Sequence, residues 1–220
     1  MTTSRDTGSE ALGVRPPRQQ RSREAWGRVL GAGVKLLEEG GYEAFTIAAV
    51  CERAGVAPRA LYDRIDSKDA LFLAVYEHAM GALRDDQAVL DDEPRWRELT
   101  AEQVAEQAVR EVAGIFRRHA AVLRAVVLIS GAHPEVYRRG AEYSQRLGDQ
   151  FIALLLRHGA DVDHADPEAA VRAAFNTVFS TLVLRTAYGA SFATPADDEE
   201  RFVASLGEMV RRYLFPPRRG

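Results

Sequence analysis

The sequence predicts an all-α protein. Apolar residues recur at three- and four-residue intervals from Trp26 onward, and no segment sustains the two-residue alternation that a half-buried strand needs. Capping residues, glycines and prolines separate the periodic runs, so the helices have readable starts and stops.

Met1 to Val14 is rich in Thr, Ser, Gly and Glu and lacks periodicity, which predicts disorder. Arg15, Arg18, Arg21 and Arg23 follow, with no acid among them before Glu24, and form a short cationic arm. The first helix carries Trp26, Val29, Leu30, Val34, Leu36 and Leu37 and ends at Gly40-Gly41. Thr46 caps a short second helix running to about Arg53, with Phe45 and Val50 placed as a hydrophobic staple. Ala54-Gly55-Val56 stops it. Pro58 suits the first turn of a third helix, expected to reach about Ile65, and Ser67 caps a longer fourth one. Beyond Asp91-Asp92-Glu93-Pro94, helices are expected over Ala101–His119, Ala121–Ser130, Pro134–His158, Pro167–Tyr188 and Asp197–Leu214.

Bulk properties narrow the function classes. The 220 residues are 46% hydrophobic and 28% charged, enough to bury a real core. A formal net charge of -3 argues against a coating, non-specific nucleic-acid binder but leaves room for a local basic face. No apolar run approaches membrane-spanning length, and Met1 to Leu12 has no apolar h-region. The single cysteine, Cys51, rules out an internal disulfide framework, so a cytoplasmic location is the simplest expectation.

The informative stretch is Phe45 to Lys68. Two short helices joined by a glycine-containing turn are what a helix-turn-helix requires. Gly55 supplies positive φ, Val56 and Leu61 are placed to pack on Ile47 and Val50, and Cys51 falls where a small side chain fits.

This stretch resembles the TetR family of bacterial transcriptional regulators. The residues that carry the resemblance are Val29 to Glu43, Thr46, Ala54-Gly55-Val56, Leu61-Tyr62 and Ser67-Lys68-Asp69-Ala70-Leu71. It implies a disordered basic arm over 1–22 and a three-helix DNA-binding domain over 23–68. A larger helical ligand-binding and dimerisation domain over 69–220 would follow. The helix opened by Ala57 and Pro58 would enter the major groove. Thr46, Tyr62 and Lys68 match positions that hold phosphates, for which a helix N-terminus, a phenol and an ammonium are suited. Arg59 can bond both guanine acceptors, Ala60 can touch a thymine methyl, and Arg64 can serve either base or phosphate. Arg21 and Arg23 would reach the backbone or the minor groove. The chain departs from the family pattern at Ala57, where a capping hydroxyl or acid is common, at Asp63 and Asp66, and at Ile65 in an often aromatic place.

The expected partners are a near-palindromic double-stranded operator, a second copy of the chain and a mainly apolar small-molecule inducer, with no membrane. The last two helices would pair with their copies. Tyr76, Phe116, Val127, Tyr143, Leu147, Phe151, Phe175, Asn176 and Phe179 are the expected pocket residues. Two other readings stay open: control by a protein partner, and a ligand carrier or enzyme with an incidental helix-turn-helix.

No cofactor, metal or catalytic constellation is expected. The run from Asp161 to Arg172 lacks the central glycine and closing glutamate of a calcium loop, and reads as a solvated connection. No nucleophile elbow, phosphate loop or paired-histidine metal motif occurs.

Overall fold

The computed structural model describes residues 20–158, 162–192 and 198–217, and among them every regular element is helical. They fall into two compact units that divide between Ala82 and Leu83.

The first unit holds α1 (Gln20–Ala44), α2 (Ile47–Ala54), α3 (Pro58–Tyr62) and most of α4 (Lys68–Gln87). α1 starts six residues ahead of the apolar run, so Arg21, expected in the unstructured arm, lies in a helix. Its opening turn is polar and therefore carries no periodic signal. The residues of the arm before Gln20 lie outside the described residues. Gly41 breaks α1 as expected, with φ 63° and ψ -160°. Phe45, Val50, Leu61, Ile65, Leu71, Phe72 and Val75 form the core, and Phe45 meets Phe72 edge-on at 5.7 Å. α1 and α4 come close at Gly33, where an added Cβ would lie 2.4 Å from Val75 Cγ2.

The second unit begins at the end of α4. A 3-10 turn (Ala88–Asp91) and the single turn α5 (Glu93–Trp96) follow, and then α6 (Ala101–Arg118), α7 (Ala120–Ser130), α8 (Pro134–His158), α9 (Pro167–Tyr188) and α10 (Glu199–Leu214). The five long helices lie within two residues of their expected ends. Their caps are local: Thr100 and Gln103 form a reciprocal capping box, and Asp166 accepts from the Ala169 amide at 3.0 Å. The 3-10 turn and α5 were not expected, since four residues are too few to show a period. They bury Trp96, whose Nε1 donates to the Val89 carbonyl at 2.9 Å.

α9 is the centre of this unit and packs on α6, α7, α8 and α10. Ala170, Val171, Ala174, Phe175, Val178 and Leu182 face inward. Opposite them, Ala173, Asn176, Thr177, Ser180 and Leu184 are exposed. A close approach of α8 and α9 occurs at Gly148, where a Cβ would meet Phe175 Cε1 at 2.8 Å.

Candidate DNA-binding site

The site is built on α2 and α3. Thr46 Oγ1 accepts from the Ala49 amide at 3.1 Å and so starts α2. α2 is then tied to α1 by two arginines. Arg28 Nε donates to the Ala54 carbonyl at 3.2 Å, and Arg53 pairs with Glu39 at 2.6 Å. Gly55 takes the left-handed conformation (φ 63°, ψ 42°) that turns the chain into α3. Cys51 is buried beside this turn, and burial pushes its thiol above the usual range. It therefore serves as a packing residue.

α3 is shorter than expected. It ends at Tyr62, and the amides of Arg64 and Ile65 both turn back to the Leu61 carbonyl, at 2.9 and 3.1 Å. Ala57 supplies no side-chain cap, as its methyl group dictates. Leu61 anchors the helix in the core, at 2% exposure, while Ala57, Pro58, Arg59, Ala60 and Tyr62 face outward. Tyr62 is 56% exposed. Neither Arg59 nor Tyr62 has a side-chain partner among the described residues. A guanidinium and a phenol are thus presented together on a single helical turn. Thr46, Arg21 and Arg23 are also exposed.

Two of the expected contact residues are held by the protein itself. Lys68 Nζ lies 3.9 Å from the centre of the Tyr42 ring and 3.4 Å from the Tyr42 carbonyl oxygen. The Tyr42 hydroxyl in turn donates to Asp69 at 3.0 Å, and burial followed by this bond raises the phenol above its ordinary range. Arg64 is half-buried, donates to Ser22 Oγ and lies over the Trp26 ring. Ser22, Trp26 and Tyr42 also belong to this site; Ser22 and Trp26 lie outside the residues that carry the family resemblance, and Tyr42 lies within them without an expected role.

The expected pocket residues are distributed unevenly. Phe116, Phe179, Phe175 and Phe151 form a chain of rings, each 5.5 Å from the next. Three of these rings line two open clefts. One, of about 250 Å³, is lined by Phe175, Asn176 and Phe179 with Ser144, Gly148, Asp149 and Arg172. The other, of about 320 Å³, is lined by Phe116 with Ala113, Arg117, Leu182, Arg185 and Glu199. Tyr143 and Leu147 are buried on α8, and Val127 is half-buried on α7. Tyr76 is buried on the part of α4 that belongs to the first unit. Asn176 faces outward.

Among the described residues, no three His, Cys, Asp or Glu side chains gather as a metal site, and no helix is long and apolar enough to cross a membrane. Asp161 lies outside the described residues.

A glycine turn between two short helices, the second anchored by Leu61 and outwardly carrying Arg59 and Tyr62, defines a helix-turn-helix DNA-binding regulator. The family models agree. Residues 29–75 match the model of bacterial regulatory proteins of the tetR family, and residues 100–214 match the C-terminal domain of tetracycline-repressor-like proteins. The chain belongs to the TetR family. No curated protein sequence matches it. Among solved structures, a tetR-family regulatory protein from Rhodococcus RHA1 aligns at a TM-score of 0.64 and 18% identity, over 87% of this chain and 97% of that one. PfmR from Thermus thermophilus aligns at 0.61 and 21% identity, over 87% and 100%. GusR from Salmonella enterica aligns at 0.59 and 18% identity, over 90% and 98%. These likenesses show a shared fold.

Proposed function

We propose that the protein is a homodimeric transcriptional repressor that leaves its operator when a small, mainly apolar molecule binds its C-terminal domain. The observation that carries the DNA-binding part is the outward face of α3. There Arg59 and Tyr62 stand without side-chain partners among the described residues, while Leu61 fixes the helix from behind. Arg59 reads guanine through its two parallel donors, and Ala60 lies beside it for a thymine methyl. Tyr62, Lys68 and the capped start of α2 at Thr46 bind phosphates and set the register. Ala57 and Pro58 open α3 beside the backbone. Arg21 and Arg23 add sequence-independent attraction at the start of α1.

Dimerisation is supported by apolar surface on the last two helices. Leu184 and Tyr188 on α9, and Met209 and Tyr213 on α10, are 43–54% exposed. Such side chains in water favour association with a matching surface, and a two-fold copy presents two α3 helices to an inverted repeat. The inducer reading draws on the chain of four phenylalanines, three of which line the two clefts. Ring faces with a few polar side chains at the rim are the usual lining of a small-molecule site.

The test is selection from a random duplex-DNA pool, with an Arg59→Ala, Tyr62→Ala double variant alongside. Enrichment of an inverted repeat by the wild type, lost in the variant, supports the reading. Equal enrichment by both proteins would remove α3 from the recognition role. The enriched duplex then serves to screen small molecules for release.

A further inference from the structure

The family pattern places Arg64 among the DNA-contacting side chains. We infer instead that Arg64 is a positioning residue, which clamps the exit of α3 onto the first turns of α1 and so sets the angle at which the recognition helix meets DNA. This rests on the DNA-binding reading above and assigns a different task to one of its residues.

The guanidinium is already engaged. Its Nη2 donates to Ser22 Oγ, and its Cζ lies 5.9 Å from the centre of the Trp26 ring. That distance is within the range in which a cation is held by an aromatic face. The remaining terminal nitrogen, Nη1, is shielded from solvent and has no hydrogen-bond partner among the described residues. A phosphate therefore has no route to Nη1 in this arrangement. Arg59, by contrast, is open to solvent.

The fold also needs such a clamp. α3 has only five residues, and within it only Leu61 is buried. One buried side chain fixes where a short helix sits but leaves it free to swing about that anchor. The segment that follows α3 buries Ile65 in the same core, and it is pinned to α1 at two further points, by Arg64 on Trp26 and by Lys68 on Tyr42. Trp26 lies near the start of α1 and Tyr42 just past its break at Gly41, and the unbroken helix between them, from Trp26 to Gly40, is roughly 21 Å long at 1.5 Å per residue. Two pins that far apart resist rotation where one does not. The same clamp fixes Ser22, whose neighbours Arg21 and Arg23 are exposed, so the arm and the recognition helix share one register.

Arginine suits this task and lysine does not. A planar guanidinium stacks on an indole and donates in its own plane at the same time, whereas an ammonium is a point charge on a flexible stem. Arg64→Lys keeps the charge and breaks the clamp, which separates positioning from phosphate contact.

The experiment measures affinity for the duplex that the wild type enriches, over a range of salt concentrations. The full-length proteins are wild type, Arg64→Lys, Arg64→Gln, Ser22→Val, Trp26→Leu and the Arg64→Lys, Trp26→Leu pair. Far-UV circular dichroism and an unfolding midpoint confirm that each is folded. The clamp predicts that Arg64→Lys and Trp26→Leu each weaken binding about tenfold, that the pair is little weaker than either single variant, and that the salt slope stays at the wild-type value. Ser22→Val, which leaves the Trp26 ring in place, weakens binding about threefold and replaces Trp26→Leu if that variant is unfolded. Wild-type affinity in Arg64→Lys, with Arg64→Gln reducing the salt slope by about one, would make Arg64 a phosphate contact and overturn the clamp. Folded Ser22→Val and Trp26→Leu proteins that bind like wild type would also overturn it. A wild type that enriches no duplex removes the DNA-binding reading itself, and the clamp falls with it.

Discussion

The Lys68 ammonium lies over the Tyr42 ring, 3.9 Å from its centre, while the Tyr42 hydroxyl donates to Asp69, the next residue along from Lys68. The last turn of α1 is thereby fastened to the first turn of α4. Tyr42 also meets Phe72 edge-on at 5.0 Å. Tyr42→Leu removes the ring contacts and the hydroxyl bond together and is expected to cost about 2–3 kcal/mol. Tyr42→Phe loses only the bond to Asp69 and is expected to cost about 1 kcal/mol or less. Urea unfolding of the two variants separates the ring from its hydroxyl.

Two glycines of α1 should respond in opposite ways to the same substitution. At Gly33 the new methyl group meets Val75 Cγ2 at 2.4 Å, and at Gly27 nothing lies within 4 Å. Gly27→Ala gains helix propensity and should stabilise by about 0.5–1 kcal/mol. Gly33→Ala gains the same propensity but forces α1 and α4 apart, with an expected net loss of about 1–2 kcal/mol. Thermal unfolding of the pair checks the sign of each.

Glu135, in the first turn of α8, is held at about 2 because Arg138 donates to it twice and Arg139 adds a third bond. A carboxylate whose acidity is raised by folding contributes stability that is full above its unfolded value, near 4.5, and disappears as pH falls toward 2. The group is on the surface, so solvent screening keeps its contribution below about 1 kcal/mol. Glu135→Gln should lower the urea midpoint slightly at pH 7 and leave it unchanged near pH 2. Equal effects at both pH values would mean that packing, and not the charge, matters there.

Leu184→Glu with Met209→Glu places a carboxylate on each of the two exposed apolar strips, neither of which supports the core of its own unit. On the proposed dimer, the wild type should sediment as a dimer and this variant as a monomer. Affinity for the enriched duplex should fall by about a hundredfold or more, since two linked half-sites become two independent ones. A monomeric wild type would remove the proposed dimer, and a variant that stays dimeric would move its interface elsewhere.

What could be read from residue order alone was local. Thr46, Gly55, Pro58 and Asp166-Pro167 each act within one turn of their own position, which is why the helix-turn-helix and the five C-terminal helices stand where the pattern places them. The outward display of Arg59 and Tyr62 follows in the same way, since burying Leu61 decides which face of so short a helix turns to solvent, though not the angle at which the helix lies. α5 escaped because a single turn has no period, and the opening of α1 because a polar helix has no apolar stripe.

Side-chain partners far along the chain were decided by tertiary structure. Arg64 reads as a DNA contact by its position, yet its guanidinium meets Ser22 and Trp26, about forty residues earlier. Lys68 meets Tyr42, and Gly148 admits the Phe175 ring. In each case the deciding quantity is the distance between two helices, which depends on every side chain packed between them and not on the spacing of residues within one. Helical periodicity sets which face turns inward; only the packed fold sets what that face touches.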